Sequence, residues 1–81
     1  MNVYEKALNK WGKDLQLIMG IEEMAELTKA LIKDIRGKPN YDNILEEIAD
    51  VEIMLTQLKC IYGDITDIKR KKLTRLAKML E

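Results

Sequence analysis

Two acidic clusters, Glu22-Glu23-x-x-Glu26 and Glu46-Glu47-x-x-Asp50, lie inside segments whose apolar residues recur with helical spacing. Positions three or four apart share one face of a helix, so Glu23 and Glu26 form one ledge and Glu47 and Asp50 another. Between them, Arg36-Gly37-Lys38-Pro39-Asn40 is a helix stop, with Gly at the carboxyl end and Pro two residues later. Antiparallel pairing across that turn sets the ledges face to face. Four converging carboxylates repel one another unless something positive sits among them. Hard oxygen donors in that number suit Mg²⁺ or Mn²⁺.

The competing reading is a solvated acidic surface, which amphipathic helices often carry. Two features weigh against it. The clusters occupy comparable positions on consecutive helices, beside apolar stripes rather than opposite them. Like charges three apart also weaken isolated helices, a conflict that a cation removes.

The periodicity predicts four helices. Asn2 caps a short first one running to about Lys10, and Gly12 breaks it. The second runs from about Lys13 to Arg36, with Leu17, Ile21, Met24, Leu27 or Thr28, Leu31 and Ile35 as its buried stripe. The third spans about Asp42 to Tyr62 on the stripe Ile44, Ile48, Val51, Leu55 and Leu58. Gly63 ends it, and Asp64 caps a fourth that reaches about Leu80. Strands have almost no support. The expected fold is an all-α, four-helix bundle in one domain over residues 1–81, and so small a chain is expected to complete its core by oligomerisation.

Charge excludes more than it proves. The net charge is zero, but Glu22 to Glu52 balances to −5 and Asp64 to Glu81 to +3. An acidic middle argues against binding a nucleic acid polymer, which calls for a basic surface. No His is present, and the single Cys60 builds neither a disulfide nor a thiolate zinc site. Cys60 reads as a buried small hydrophobe. With no signal peptide and no apolar run near the ~20 residues of a membrane span, the expected location is cytoplasmic, away from any membrane.

Glu22-Glu23-Met24-Ala25-Glu26-Leu27 followed by Glu46-Glu47-Ile48-Ala49-Asp50-Val51 resembles the EExxE…ExxD signature of the MazG-like, all-α nucleoside triphosphate pyrophosphohydrolases. Trp11-Gly12, Gln16 and Lys33 also resemble the small stand-alone members, and the likeness covers roughly Ala7 to Leu80. The resemblance implies Glu23, Glu26, Glu47 and Asp50 as metal ligands. It implies Glu22 and Glu46 as accessory carboxylates that bind a further ion or position water. The implied reaction is Mg²⁺-dependent cleavage of a (deoxy)nucleoside triphosphate between its α- and β-phosphates, releasing the monophosphate and pyrophosphate. The implied assembly is a homo-oligomer, a dimer or tetramer. The related phosphoribosyl-ATP pyrophosphohydrolase is a lesser match, because the segment after Asp50 reads Val51-Glu52-Ile53-Met54-Leu55 without a Tyr-His pair. A dUTPase-like enzyme is a third option, and a non-catalytic helical interaction module the alternative from another class.

For phosphate contacts the candidates are Lys33 and, on the basic fourth helix, Lys69 and Lys72; the plain alternative for each is a solvated charge. Trp11, Lys13, Gln16, Met54 and Gln57 are candidates for base and sugar, with Trp11 equally suited to anchoring a core or an interface.

Overall fold

The computed structural model describes all 81 residues and is helical throughout, with α1 at Val3–Ile35, α2 at Tyr41–Tyr62 and α3 at Thr66–Met79. Three helical spans stand where four were expected, and the first of them is two helices run together across a kink at Gly12. The expected break is therefore present. Gly12 has φ 80° and ψ 167°, a conformation essentially closed to residues with a Cβ. It splits α1 into a short amino-terminal arm and a long carboxyl-terminal limb. Asn2 caps the arm by accepting a hydrogen bond from the Glu5 amide. The long limb stops at Arg36-Gly37, where the Lys38 amide donates to the Lys33 carbonyl and the Gly37 amide to that of Asp34. Asn40 then caps α2 through the Asn43 amide.

The limb and α2 form an antiparallel hairpin. Gly20 lies against Met54, and the Lys13 ammonium sits 5.4 Å from the centroid of the Tyr62 ring. The arm turns back onto the same helix, since the Gln57 side-chain amide donates to the Tyr4 carbonyl at 2.9 Å. Gln57 is 2% exposed and is the most completely buried large side chain. Such an amide, withdrawn from water, is held by its hydrogen bond.

The seam differs from the expected stripe on α1 by one residue. Its buried or half-buried positions are Gln16, Leu17, Met19, Gly20, Glu23, Leu27 and Ala30, so Leu17 and Leu27 of the expected stripe face inward, whereas Ile21, Met24, Leu31 and Ile35 face outward. Gly20 and Ala30 are small enough for the backbones to approach, and that closeness selects them over the bulkier residues beside them. On α2 the seam follows Ile44, Glu47, Val51, Met54, Gln57 and Leu58, leaving Ile48 and Leu55 exposed. Cys60, expected inside, is exposed.

α3 packs against neither of the other helices, and every residue in it is exposed. A single chain therefore holds a closed hairpin and a free helix rather than a bundle. Asp64 accepts from the Thr66 hydroxyl at 2.7 Å and the Thr66 amide at 3.2 Å, so it steadies the entry to α3, although Ile65 occupies the cap position itself. No helix is long and apolar enough to cross a membrane.

Candidate metal centre

The carboxylates meet where the hairpin seam passes its middle. Glu23 follows Gly20 by one turn on α1, and Glu47 precedes Val51 by one turn on α2. Close packing on one side of each residue draws its side chain into the seam. Glu23, Glu47 and Asp50 each place a carboxylate oxygen within 4.8 Å of the others. Glu23 and Glu47 are half-buried and Asp50 is exposed, so the group opens to water on one side.

The electrostatics show a conflict. Burial, followed by the charges of Asp50 and Glu47, raises the Glu23 carboxyl above its ordinary value of 4.5, and a hydrogen bond with Asp50 and the charge of Glu26 add to the shift. Glu47 is raised in the same direction by burial first, and then by Asp50, Glu26 and Glu46. All of these neighbours push the same way, and no cation is among the groups that act on either carboxyl. Glu47 Oε2 is shut off from water with no hydrogen-bond donor. Such an atom normally has a partner. Oxygen donors from two helices, a carboxylate oxygen without a partner and a surplus of negative charge together fit a hard divalent cation.

Four ligands were expected. Glu26 lies close enough for its charge to act on both Glu23 and Glu47, but it stands outside the group of three. Glu22 and Glu46 are exposed, next to Glu23 and Glu47 in sequence. The remaining candidates are dispersed. Gln16 is 2% exposed in the seam, its side-chain amide directed at the Met19 sulfur at 3.3 Å, so it packs. Met54 and Gln57 are buried too, and neither presents a surface to a base or sugar. Trp11 is exposed with the Lys10 ammonium 5.3 Å from its ring centroid, next to the Gly12 bend. Lys33 is exposed in the last turn of α1, about 15 Å along the helix from Glu23 at 1.5 Å per residue.

Lys69 and Lys72 are on α3, which touches neither limb of the hairpin, so the chain does not itself bring them to the carboxylates. The sequence placed Glu23 and Glu47 beside the apolar stripes, and the structure draws both half-buried into the seam itself, for which the pattern did hold a signal. Gly20, Glu23, Leu27 and Ala30 recur at spacings of three and four as regularly as the apolar stripe next to them. Comparison with protein-family models, with curated proteins and with solved structures gives no match.

Proposed function

We propose that this chain is a small, metal-dependent nucleoside triphosphate pyrophosphohydrolase of the MazG-like kind, acting as a homo-oligomer. The observation that carries the reading is the convergence of Glu23, Glu47 and Asp50 within 4.8 Å around the donor-less Glu47 Oε2. In this reading these three carboxylates hold Mg²⁺ or Mn²⁺, and Glu26 stands next to them to complete the set or to bind a second ion. When bound, the cation neutralises phosphate oxygens and lowers the pKa of a coordinated water.

The protein's own contribution is positional and basic. The seam fixes Glu23 and Glu47 on opposite helices, so a triphosphate is gripped from both sides of the hairpin. Exposed Glu22 and Glu46 flank the ligands and are the groups to accept the attacking water's proton, a task for which no His is required. The products are a nucleoside monophosphate and pyrophosphate. The open side at Asp50 leaves room for substrate to enter.

A second reading, a non-catalytic helical interaction module, is favoured by the exposed apolar residues on all three helices. One experiment separates the two. Mn²⁺ binding is followed by electron paramagnetic resonance beside pyrophosphate release from a panel of (deoxy)nucleoside triphosphates with Mg²⁺, Mn²⁺ or EDTA. Binding and metal-dependent release that both vanish in Glu47→Gln are the expected result. Folded protein that binds no Mn²⁺ and releases nothing would leave the interaction module.

A further inference from the structure

We propose that the elbow between α2 and α3 binds a small organic anion, a molecule with an apolar body and a carboxylate or phosphate group at one end. Gly63 makes the elbow. Its φ of 125° and ψ of 177° belong to a region of backbone space that glycine alone enters freely. The turn sets the end of α2 and the start of α3 around one concavity, although the two helices do not pack on each other.

The groove there holds about 530 Å³, within the roughly 300–1,000 Å³ usual for small-molecule sites. Leu55, Leu58, Tyr62 and Ile65 give it an apolar lining. A second hollow of about 340 Å³ adjoins it and shares Lys59, Ile65 and Lys69 with it. An apolar trough that runs into a polar hollow fits a ligand with two unlike ends.

Charge decides what the polar end must be. Three cations line the hollow, Lys59 from α2 and Lys69 and Arg70 from α3. Arg70 is already held, since its guanidinium lies 2.8 Å from Asp67 in the chain's one ion pair. Asp64, the acid in the hollow, accepts from the Thr66 hydroxyl and amide rather than from a lysine. Lys59 and Lys69 are thus left as two ammonium groups with no anionic partner, one from each helix. At the far end of the groove stands Glu52, seven residues and about 10 Å along α2 from Lys59. An anionic group is drawn to the lysine end and repelled from the other, which gives the ligand one orientation, its body laid over Leu55 and Leu58. The ammonium groups take a carboxylate or phosphate through charge-assisted hydrogen bonds.

This site is separate from the carboxylate group. None of Glu23, Glu26, Glu47 and Asp50 lines the groove, and Glu52 stands about 200° around α2 from Asp50. The site also has a use for the free helix. Because α3 packs on neither limb of the hairpin, a ligand touching Leu55 on α2 and Lys69 on α3 supplies the contact that fixes the angle at Gly63.

The test uses naphthyl phosphate and naphthoate as probes, with inorganic phosphate and naphthol as the separated halves. The full chain is kept in EDTA, and binding is followed by amide NMR titration. Both naphthyl anions should bind about tenfold more tightly than either half, the worth of one charge-assisted hydrogen bond. Comparing the two anions shows which head group the lysines prefer. Shifts should gather between residues 52 and 73, and amide exchange in α3 should slow several-fold in the bound state. Lys59→Gln and Lys69→Gln should each weaken both anions several-fold and leave naphthol unaffected, whereas Lys38→Gln, in the turn between α1 and α2, should change nothing. All three lysines are exposed, so circular dichroism of the variants should match the wild type. No saturable binding of either anion, equal affinity for naphthol, unaltered binding in both elbow variants, or shifts centred elsewhere would each overturn the proposal. Neither metal nor nucleoside triphosphate is present, so failure here is distinct from failure of the hydrolase reading.

Discussion

Gly20→Ala tests the seam geometry on which the carboxylate group depends. A Cβ at position 20 would lie 3.8 Å from both Cβ and Cε of Met54, an ordinary van der Waals separation. Gly20 has helical backbone angles, so alanine adds no strain there. Replacing a mid-helix glycine gains about 1 kcal/mol of helix propensity, and burying one more methyl group adds up to about 0.8 kcal/mol. The expected gain is therefore about 1–2 kcal/mol, which for a chain of this size raises Tm by roughly 4–16 °C. Thermal and urea denaturation followed by circular dichroism, at one fixed protein concentration, measure it. Mn²⁺ affinity should stay within a few-fold, since Glu23, one turn away, keeps its place. A lower Tm would mean that the helices approach more closely than 3.8 Å of free space allows, so that the glycine is required for contact. A retained Tm with lost metal binding would mean that Glu23 does not share this seam.

Three further outcomes are expected of the same seam and its carboxylates. Without metal, the raised carboxyls of Glu23 and Glu47 favour the folded state most when protonated, so their contribution is full below 4.5 and is lost as pH rises through the folded values. Asp64 is lowered by its hydrogen bonds from Thr66, so its contribution holds above 3.8 and fades only at lower pH. In EDTA, Tm should therefore increase on acidification from neutrality toward about pH 5, and saturating Mg²⁺ should flatten that dependence; a Tm that falls over this range in EDTA contradicts the charge conflict. Glu23→Gln should raise Tm in EDTA while reducing the stabilisation given by Mn²⁺, both read by scanning calorimetry; unaltered metal stabilisation would remove Glu23 from the ligand set. Gln57→Ala should cost about 1–3 kcal/mol by leaving the Tyr4 carbonyl without its donor. Amide exchange in the arm before Gly12 should speed up more than exchange in the hairpin, and equal changes in both would argue that the arm is not docked through this bond.

Much of the helical layout was legible because its signals are local. Asn2, Gly12, Gly37 and Gly63 mark chain breaks whatever the helices pack against, and their capping bonds lie within a few residues. The acidic ledges were legible for the same reason, since spacing alone places them on helix faces. Which face goes inward is a different matter. On α1 the larger apolar residues Ile21, Met24 and Leu31 suggested the core, yet Gly20 and Ala30 next to them permit the nearer approach of backbones. Periodicity identifies a stripe, but two adjacent stripes with the same period compete, and only contact across the hairpin decides between them. The one-residue rotation that results moves Glu23 from the border of the core into the seam. α3 illustrates the converse case, because its amphipathic pattern does not specify whether its partner belongs to the same chain.

The hydrogen bond from Gln57 to Tyr4 joins positions 53 residues apart, whereas the hairpin contacts close progressively from the turn at Gly37. These two kinds of contact differ in the length of chain that has to be closed before either forms. The hairpin can zip outward from its turn in short steps, each one reducing the separation left for the next. The arm must wait for Gln57 to be presented on a formed α2. The expected order of folding therefore runs from the turn at Gly37 outward, with the arm before Gly12 docking after the hairpin has formed.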